Sequence, residues 1–221
     1  MKNLNVFLVV LFALSMLVAC NSKPQGEAAE TADATEQAAK ASTEATTYKL
    51  NSGTVNWVGS KPIGSSHNGT IMIKSGSFSV ENGNISAGNF VIDMNSLSNQ
   101  DLKDNPDKKA KLEGHLKSDD FFAVETYPTS TFEITKVEAV NDGGDATHKI
   151  TGNLTMRGIS KQITFPANVS IQENMLSAVT PSFTINRTLW DVNFNASVLG
   201  TVGDALISDD IALVINLSAT K

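Results

Sequence analysis

The chain has 221 residues, a formal net charge of −6, three histidines and one cysteine. One cysteine excludes an internal disulfide and a thiolate metal cage. The acidic balance argues against nucleic acid and against electrostatic attraction to anionic lipid. The charge reads as a solubility feature.

Met1-Lys2-Asn3 is a short cationic start, Val6 to Val18 is an apolar run too short to span a bilayer, and Ala19 precedes Cys20. These features predict a signal peptide over residues 1–19. The Leu17-Val18-Ala19-Cys20 ending matches the bacterial lipoprotein signature, in which Cys20 is acylated (palmitate among the chains) and anchors the mature protein to a membrane. Asn21 lacks the Asp that retains such proteins in the inner membrane, so the expectation leans to the outer membrane, facing the periplasm. Asn21 to Thr47 is rich in Ala, Glu, Thr and Gln, with no aromatic residue before Tyr48. It holds too little apolar surface to offset ordering entropy, which predicts a flexible linker over 20–47 with weak helical character in Glu36 to Ala41.

The folded domain is expected over 48–221, roughly 175 residues and enough for a single core. Apolar and polar residues alternate through most of it, the mark of half-buried strands. Tyr48, Leu50, Val55 and Trp57 mark a first strand, and Thr70 to Val80 a second. In the second, inward parity changes between Ile71/Ile73 and Phe78/Val80 around Gly76, which predicts a bulge or sharp coil. Asn82-Gly83 is a hairpin signal leading into a strand with Phe90, Ile92 and Met94 on one face.

The period breaks between Lys103 and Lys117. Ala110, Leu112 and Leu116 have helical spacing, with Asn105 as cap and Pro106 in the first turn. Phe121-Phe122, Val124 and Tyr127-Pro128 then form a short aromatic link. One helix and an aromatic knot inside an otherwise all-β chain fit a lid on a barrel, or a plain connector outside the sheet. Strands resume with Phe132 and Ile134, where parity changes again before Val137. Asn141 to Asp145 reads as a turn, since its spacing fails the calcium-loop pattern. Ile150, Leu154 and Met156 share a face, then Arg157-Gly158 turns into a strand carrying Ile163, Phe165 and Ala167. Val179, Phe183 and Ile185 belong to a seventh strand, Asn186 to Gly203 is irregular, and Ile207 to Ser218, with Leu213 inward, closes the set. The count is about eight antiparallel strands, a number whose barrel either fills with side chains or holds one small ligand. The inward faces are almost wholly apolar, which fits either a solid core or an apolar cavity.

Six blocks then resemble the YceI-like family: Trp57 to Lys61 with His67-Asn68-Gly69, Gly88 to Met94, Leu112 to Phe122, Tyr127-Pro128 with Phe132, Gly152 to Ile159, and Ile185-Asn186-Arg187. The resemblance covers Tyr48 to Leu217. It implies an all-β, extended eight-stranded antiparallel lipocalin-like barrel with one helix between strands 3 and 4. It also implies an internal tunnel for a long polyisoprenoid or comparable lipid. Thr188-Leu189-Trp190-Asp191-Val192 departs from the family's usual Asp-Phe-Gly, so the loop by the tunnel mouth and the choice of ligand are open. The lipid anchor is an elaboration on the commoner soluble secreted form.

The expected lining is Trp57, Phe90, Ile92, Met94, Phe132, Ile134, Leu154, Met156, Phe165, Phe183, Ile185 and Leu213. His67, His115, Arg157 and Arg187 are candidates for a head-group or rim role, and each can equally satisfy loop carbonyls. The three histidines lie on separate elements, with no HExxH pair, so no metal or other cofactor is expected beyond a bound isoprenoid-type lipid. No G-x-S-x-G elbow, phosphate loop or dinucleotide fingerprint is present. The expected function is storage or transport of an apolar lipid in the bacterial envelope, without catalysis. The alternatives are an envelope interaction module with a solid barrel and an enzyme acting on a bound isoprenoid lipid.

Overall fold

The computed structural model describes residues 24–36, 38–140 and 146–221. The signal peptide, Cys20 and the Asn141–Asp145 turn lie outside them. The order of elements is β1 (Glu27–Ala28), β2 (Glu30–Asp33), β3 (Thr46–Ser60), β4 (Ser66–Glu81), β5 (Asn84–Asn99), α1 (Pro106–Lys117), β6 (Thr129–Ala139), β7 (His148–Met156), β8 (Ile159–Ile171), β9 (Met175–Val179), β10 (Phe183–Asn186) and β11 (Asp210–Thr220). Strands β3 through β9 pair in sequence order, apart from the helix inserted before β6, and β11 pairs with both β9 and β3. Eight antiparallel strands therefore close on themselves, which removes most of the free edge of an open sheet.

Local chemistry fixes the register. Asn82-Gly83 and Arg157-Gly158 are two-residue hairpin loops with φ of 51° and 78°, and of 51° and 75°. Both residues of each pair are left-handed, the primed turn whose twist suits a hairpin. Both parity reversals are bulges: the β4–β5 register skips a residue between Ile73 and Ser75, and β6–β7 between Ile134 and Lys136. Beside the first, a Cβ on Gly76 would stand 2.3 Å from the Phe90 ring, so only glycine lets that ring lie over the backbone.

Helix α1 starts where expected. The Asn105 side chain accepts from the Lys108 N–H at 3.1 Å, and Pro106 opens the first turn. Leu112 and Leu116 are half-buried, but Ala110 is exposed, so the inward stripe is shorter than its spacing suggests.

Two differences from the sequence reading concern the same seam. The seventh strand is split into β9 and β10 by Thr180-Pro181-Ser182, and β10 no longer pairs with β8. Pro181 has no N–H to give a ladder. The gap is filled by the segment expected to be flexible. β1 adds in parallel to β10, with Glu27 opposite Phe183, and β2 adds antiparallel to β8, with Glu30 opposite Thr164 and Asp33 opposite Lys161. Residues 24–36 are thus an extended strap on the barrel, not a tether, and residues 38–40 show no helix.

Candidate functional site: an apolar cavity under a helical lid

Inside the barrel is a cavity of about 280 Å³, near the lower end of the roughly 300–1,000 Å³ typical of small-molecule sites. All twelve residues expected on the tunnel wall line it: Trp57 from β3, Phe90, Ile92 and Met94 from β5, Phe132 and Ile134 from β6, Leu154 and Met156 from β7, Phe165 from β8, Phe183 and Ile185 from β10, and Leu213 from β11. Alternation put them there, since residues two apart on a strand share a face. The phenyl rings pack around the wall. Phe165 stacks on Phe183 with centroids 4.6 Å apart, Phe132 meets Phe165 at 5.5 Å, and Phe78 meets Phe90 edge-on at 4.8 Å. Trp57 is set by its cross-strand partner Gly69, where a Cβ would stand 2.5 Å from the indole.

The helix end of the barrel is covered. Leu112 and Leu116 of α1, with Phe121 and Phe122 of the aromatic link, face the cavity, which gives the lid rather than the connector. Polar contacts hold this lid to the end of β5. The Lys109 ammonium donates to Ser98 Oγ (2.9 Å), to the Asn99 carbonyl (2.7 Å) and to the Glu113 carboxylate. Glu113 also accepts from the Asn99 backbone N–H at 2.7 Å, and Lys117 donates to the Asn95 carbonyl at 2.8 Å. Burial pushes the Glu113 carboxyl up, but Lys109, the Asn99 N–H and Ser98 pull it down, and its net value is below the ordinary range.

The four polar rim candidates divide. His67 lines the cavity, with Nδ1 2.8 Å from Asp101 Oδ2. The Asp101 carboxyl, raised by burial but lowered more by the Asn68 N–H, His67 and Asn99, also lies below its usual range. Arg187 lines the cavity too and is 1% exposed, yet its guanidinium is occupied. It donates to the carbonyls of Val192, Ile207 (3.1 Å) and Ser208 (3.0 Å), with Asp209 4.0 Å away. Burial lowers its pKa, and Asp209 opposes that. Arg157 and His115 are not on the wall. Arg157 bridges the carbonyls of Phe121 (2.7 Å) and Asp191 (2.6 Å), and His115 pairs with Asp120 and meets Phe121 and Phe194 edge-on. Both therefore join the lid to neighbouring loop. Trp190 is fully buried and donates to the Leu154 carbonyl at 3.0 Å, which makes the departing loop an anchor of the wall.

Two loops contribute to the cavity wall at the lid end of the barrel. Residues 60–65 and 187–209 are joined by Lys61 Nζ donating to the Asp204 carbonyl (2.7 Å) and by the Ser208 N–H donating to the Ser60 carbonyl (2.8 Å). The sequence reading missed Ser60, Lys61, Ser65, Ser130 and Ser208 on the wall. Ser130 was readable, because it shares parity with Phe132 and Ile134. Ser60 breaks the parity of Trp57 and was not. Among the described residues no group of three or more His, Cys, Asp or Glu stands close enough to hold a metal ion.

Comparison with known proteins gives the same picture of the fold. The YceI-like domain profile matches residues 30–219. A UPF0312 protein of Pseudomonas paraeruginosa is 38% identical over 99 residues, 45% of this chain and 47% of that protein. A UPF0312 protein of Vibrio vulnificus is 32% identical over 130 residues, 58% of this chain and 63% of that protein. The chain thus spans about half the length of the Pseudomonas relative it matches. BcnA of Burkholderia cenocepacia superposes with a TM-score of 0.58 at 22% identity, over 76% of this chain and 96% of that one. A polyisoprenoid binding domain from Saccharophagus degradans, implicated in plant cell wall breakdown, superposes with a TM-score of 0.53 at 17% identity, over 78% and 97%. At such identities the likeness is one of fold. With the profile covering the barrel from β2 to β11, the chain belongs to the YceI-like family.

Proposed function

We propose that the protein binds one long apolar lipid, a polyisoprenoid, an isoprenoid quinone or a similar single chain, and stores or carries it in the bacterial envelope without transforming it. The observation that carries this reading is the cavity itself, open between strands that could have filled it and walled by aliphatic and aromatic side chains. Each Å² of apolar surface a ligand buries there contributes about 25 cal/mol, so a chain of several prenyl units gains enough to outweigh its ordering cost. A volume of about 280 Å³ favours one chain over a two-tailed lipid. The fold shared with a polyisoprenoid binding domain supports the same ligand class. The proposal includes attachment to a membrane through acylated Cys20, with the barrel in the periplasm and the outer membrane favoured over the inner.

The test is extraction of natively purified protein with organic solvent, followed by mass spectrometry and by uptake of a fluorescent prenyl or fatty-acid probe. A co-purified long-chain lipid or saturable uptake supports the reading. Absence of both would falsify it. A lipid that emerges chemically changed after incubation would move the reading to an enzyme.

A further inference from the structure

Among the described residues, three polar groups on the cavity wall are buried without a hydrogen-bond partner: the indole N–H of Trp57 and the hydroxyls of Ser60 and Ser130. Their residues are 8%, 5% and 4% exposed. Leaving such a group unsatisfied costs more than a typical hydrogen bond returns, so an orphan in a native interior needs an explanation. Thr180, His67 and Arg187, also on the wall, are engaged. Thr180 Oγ1 accepts from the Ile215 N–H at 2.9 Å, His67 pairs with Asp101, and Arg187 serves three carbonyls. The three orphans also share an end of the barrel. Trp57 and Ser60 lie in the last turn-ward residues of β3, and Ser130 is the second residue of β6, which starts where the lid's aromatic link ends.

The geometry points to a head-group subsite beneath the lid, in which Trp57, Ser60 and Ser130 bind an uncharged oxygen-bearing head (an alcohol, carbonyl or quinone) while its chain runs along the apolar wall. This rests on the lipid-binding reading above. The indole N–H only donates, so the group it meets must be an acceptor; a serine hydroxyl both donates and accepts and suits an alcohol or a carbonyl. A phosphate fits poorly. Buried charge needs a paired and free cation. Trp57, Ser60 and Ser130 carry no charge, the Arg187 guanidinium is turned to the carbonyls of Val192, Ile207 and Ser208, and Lys61 spends one donor on the Asp204 carbonyl.

The experiment compares three probes on the full-length protein: geranylgeraniol, the head-less hydrocarbon squalene and geranylgeranyl phosphate. Ser60→Ala and Ser130→Ala each remove one hydroxyl with little change in volume. The wild type is expected to bind the alcohol more tightly than the phosphate. Each variant is expected to weaken the alcohol by roughly two- to ten-fold, the worth of one hydrogen bond, and to leave squalene unchanged. Equal effects on alcohol and hydrocarbon, or tighter wild-type binding of the phosphate, overturn the head-group assignment while the apolar site stands; the first of these results is expected if the orphans meet only water. Failure of all three probes to bind overturns the lipid-binding reading and this assignment with it.

Discussion

The side-chain amide of Asn153 holds the backbone of Thr35 on both sides, accepting from its N–H at 3.2 Å and donating to its carbonyl at 2.8 Å. An amide placed this way imitates one rung of a strand ladder. It continues the pairing of β2 with β8 onto the outward face of β7. Upstream, Ser182 donates to the Gln25 carbonyl, and Lys161 pairs with Asp33 at 2.8 Å. Downstream, the Ala39 N–H reaches the Ile134 carbonyl at 3.1 Å. The strap thus runs from β10 across β8 and β7 to β6, over the seam that the break at Thr180-Pro181-Ser182 opens.

Asn153→Ala is therefore expected to loosen the strap without unfolding the barrel. Two hydrogen bonds at an exposed site contribute about 1–2 kcal/mol together. Amide hydrogen exchange should rise in the peptide spanning residues 30–36 and stay constant in β3 to β5. Unchanged exchange in that peptide would mean that strand pairing alone holds the strap.

That strap also shows where the sequence stops being legible. Composition counts side-chain burial, and by that count Asn21 to Thr47 has almost nothing to bury; in the described part Ala29 does pack against the core. What fixes the strap is backbone donors and acceptors on two open edges, and those edges exist only once Pro181 has parted β10 from β8. No property of the segment itself announces them. The wall is the opposite case. Its residues are placed by a period of two that each strand carries within itself, and both parity reversals are visible in the sequence, though only the pairing shows that each is a bulge. Arg187 lies between these cases. Its place at a strand end could be read, but its occupation by Val192, Ile207 and Ser208 required the loop to fold back.

The lid should respond to acid. A carboxyl whose folded pKa is depressed contributes stability that is complete above its unfolded value and is lost as pH falls through the folded one. Glu113 and Asp101 are both of this kind. Lowering the pH below the ordinary carboxylate range, about 4, is expected to free α1 from the end of β5 and to speed release of a bound fluorescent prenyl probe. Glu113→Gln should release the probe faster already at neutral pH and show a weaker acid dependence. Release rates that ignore both changes would separate the lid from ligand exit.

Ala167 is 1% exposed and lines the cavity on β8 opposite His148, toward the end away from the helix. Ala167→Leu is expected to shorten the cavity from that end. Crowding should lower stability by about 1–3 kcal/mol. A twenty-carbon probe should lose affinity, and a ten-carbon probe should keep it. Equal losses for both would place the bound chain elsewhere.

Arg187→Met would remove the donors of three loop carbonyls in a buried setting. The loss is expected to be about 3 kcal/mol or more, since each unsatisfied carbonyl costs about 1–3 kcal/mol. Arg187→Lys should recover little of it, because an ammonium cannot reproduce the fork of a guanidinium. Urea unfolding midpoints of the three proteins check this. A lysine variant as stable as wild type would show that charge, not geometry, holds residues 187–209.

Residues 60–65 and 187–209 carry apolar side chains in water: Ile63 is 70% exposed, Val198 65%, Leu199 66% and Val202 79%. Exposed apolar groups gathered in one place mark contact with a partner or a membrane. Here they sit on two joined loops whose residues Lys61, Ile207 and Ser208 line the apolar cavity, so they are expected to touch the bilayer from which a lipid is taken. Leu199→Asp together with Val202→Asp should slow uptake of a prenyl probe from phosphatidylcholine vesicles several-fold. Uptake of the same probe from dilute detergent should be unchanged, because surface substitutions at such sites alter stability by only about 0.5 kcal/mol. Equal slowing from both donors would point to damage at the cavity wall itself, and no slowing from vesicles would leave these side chains without a part in loading.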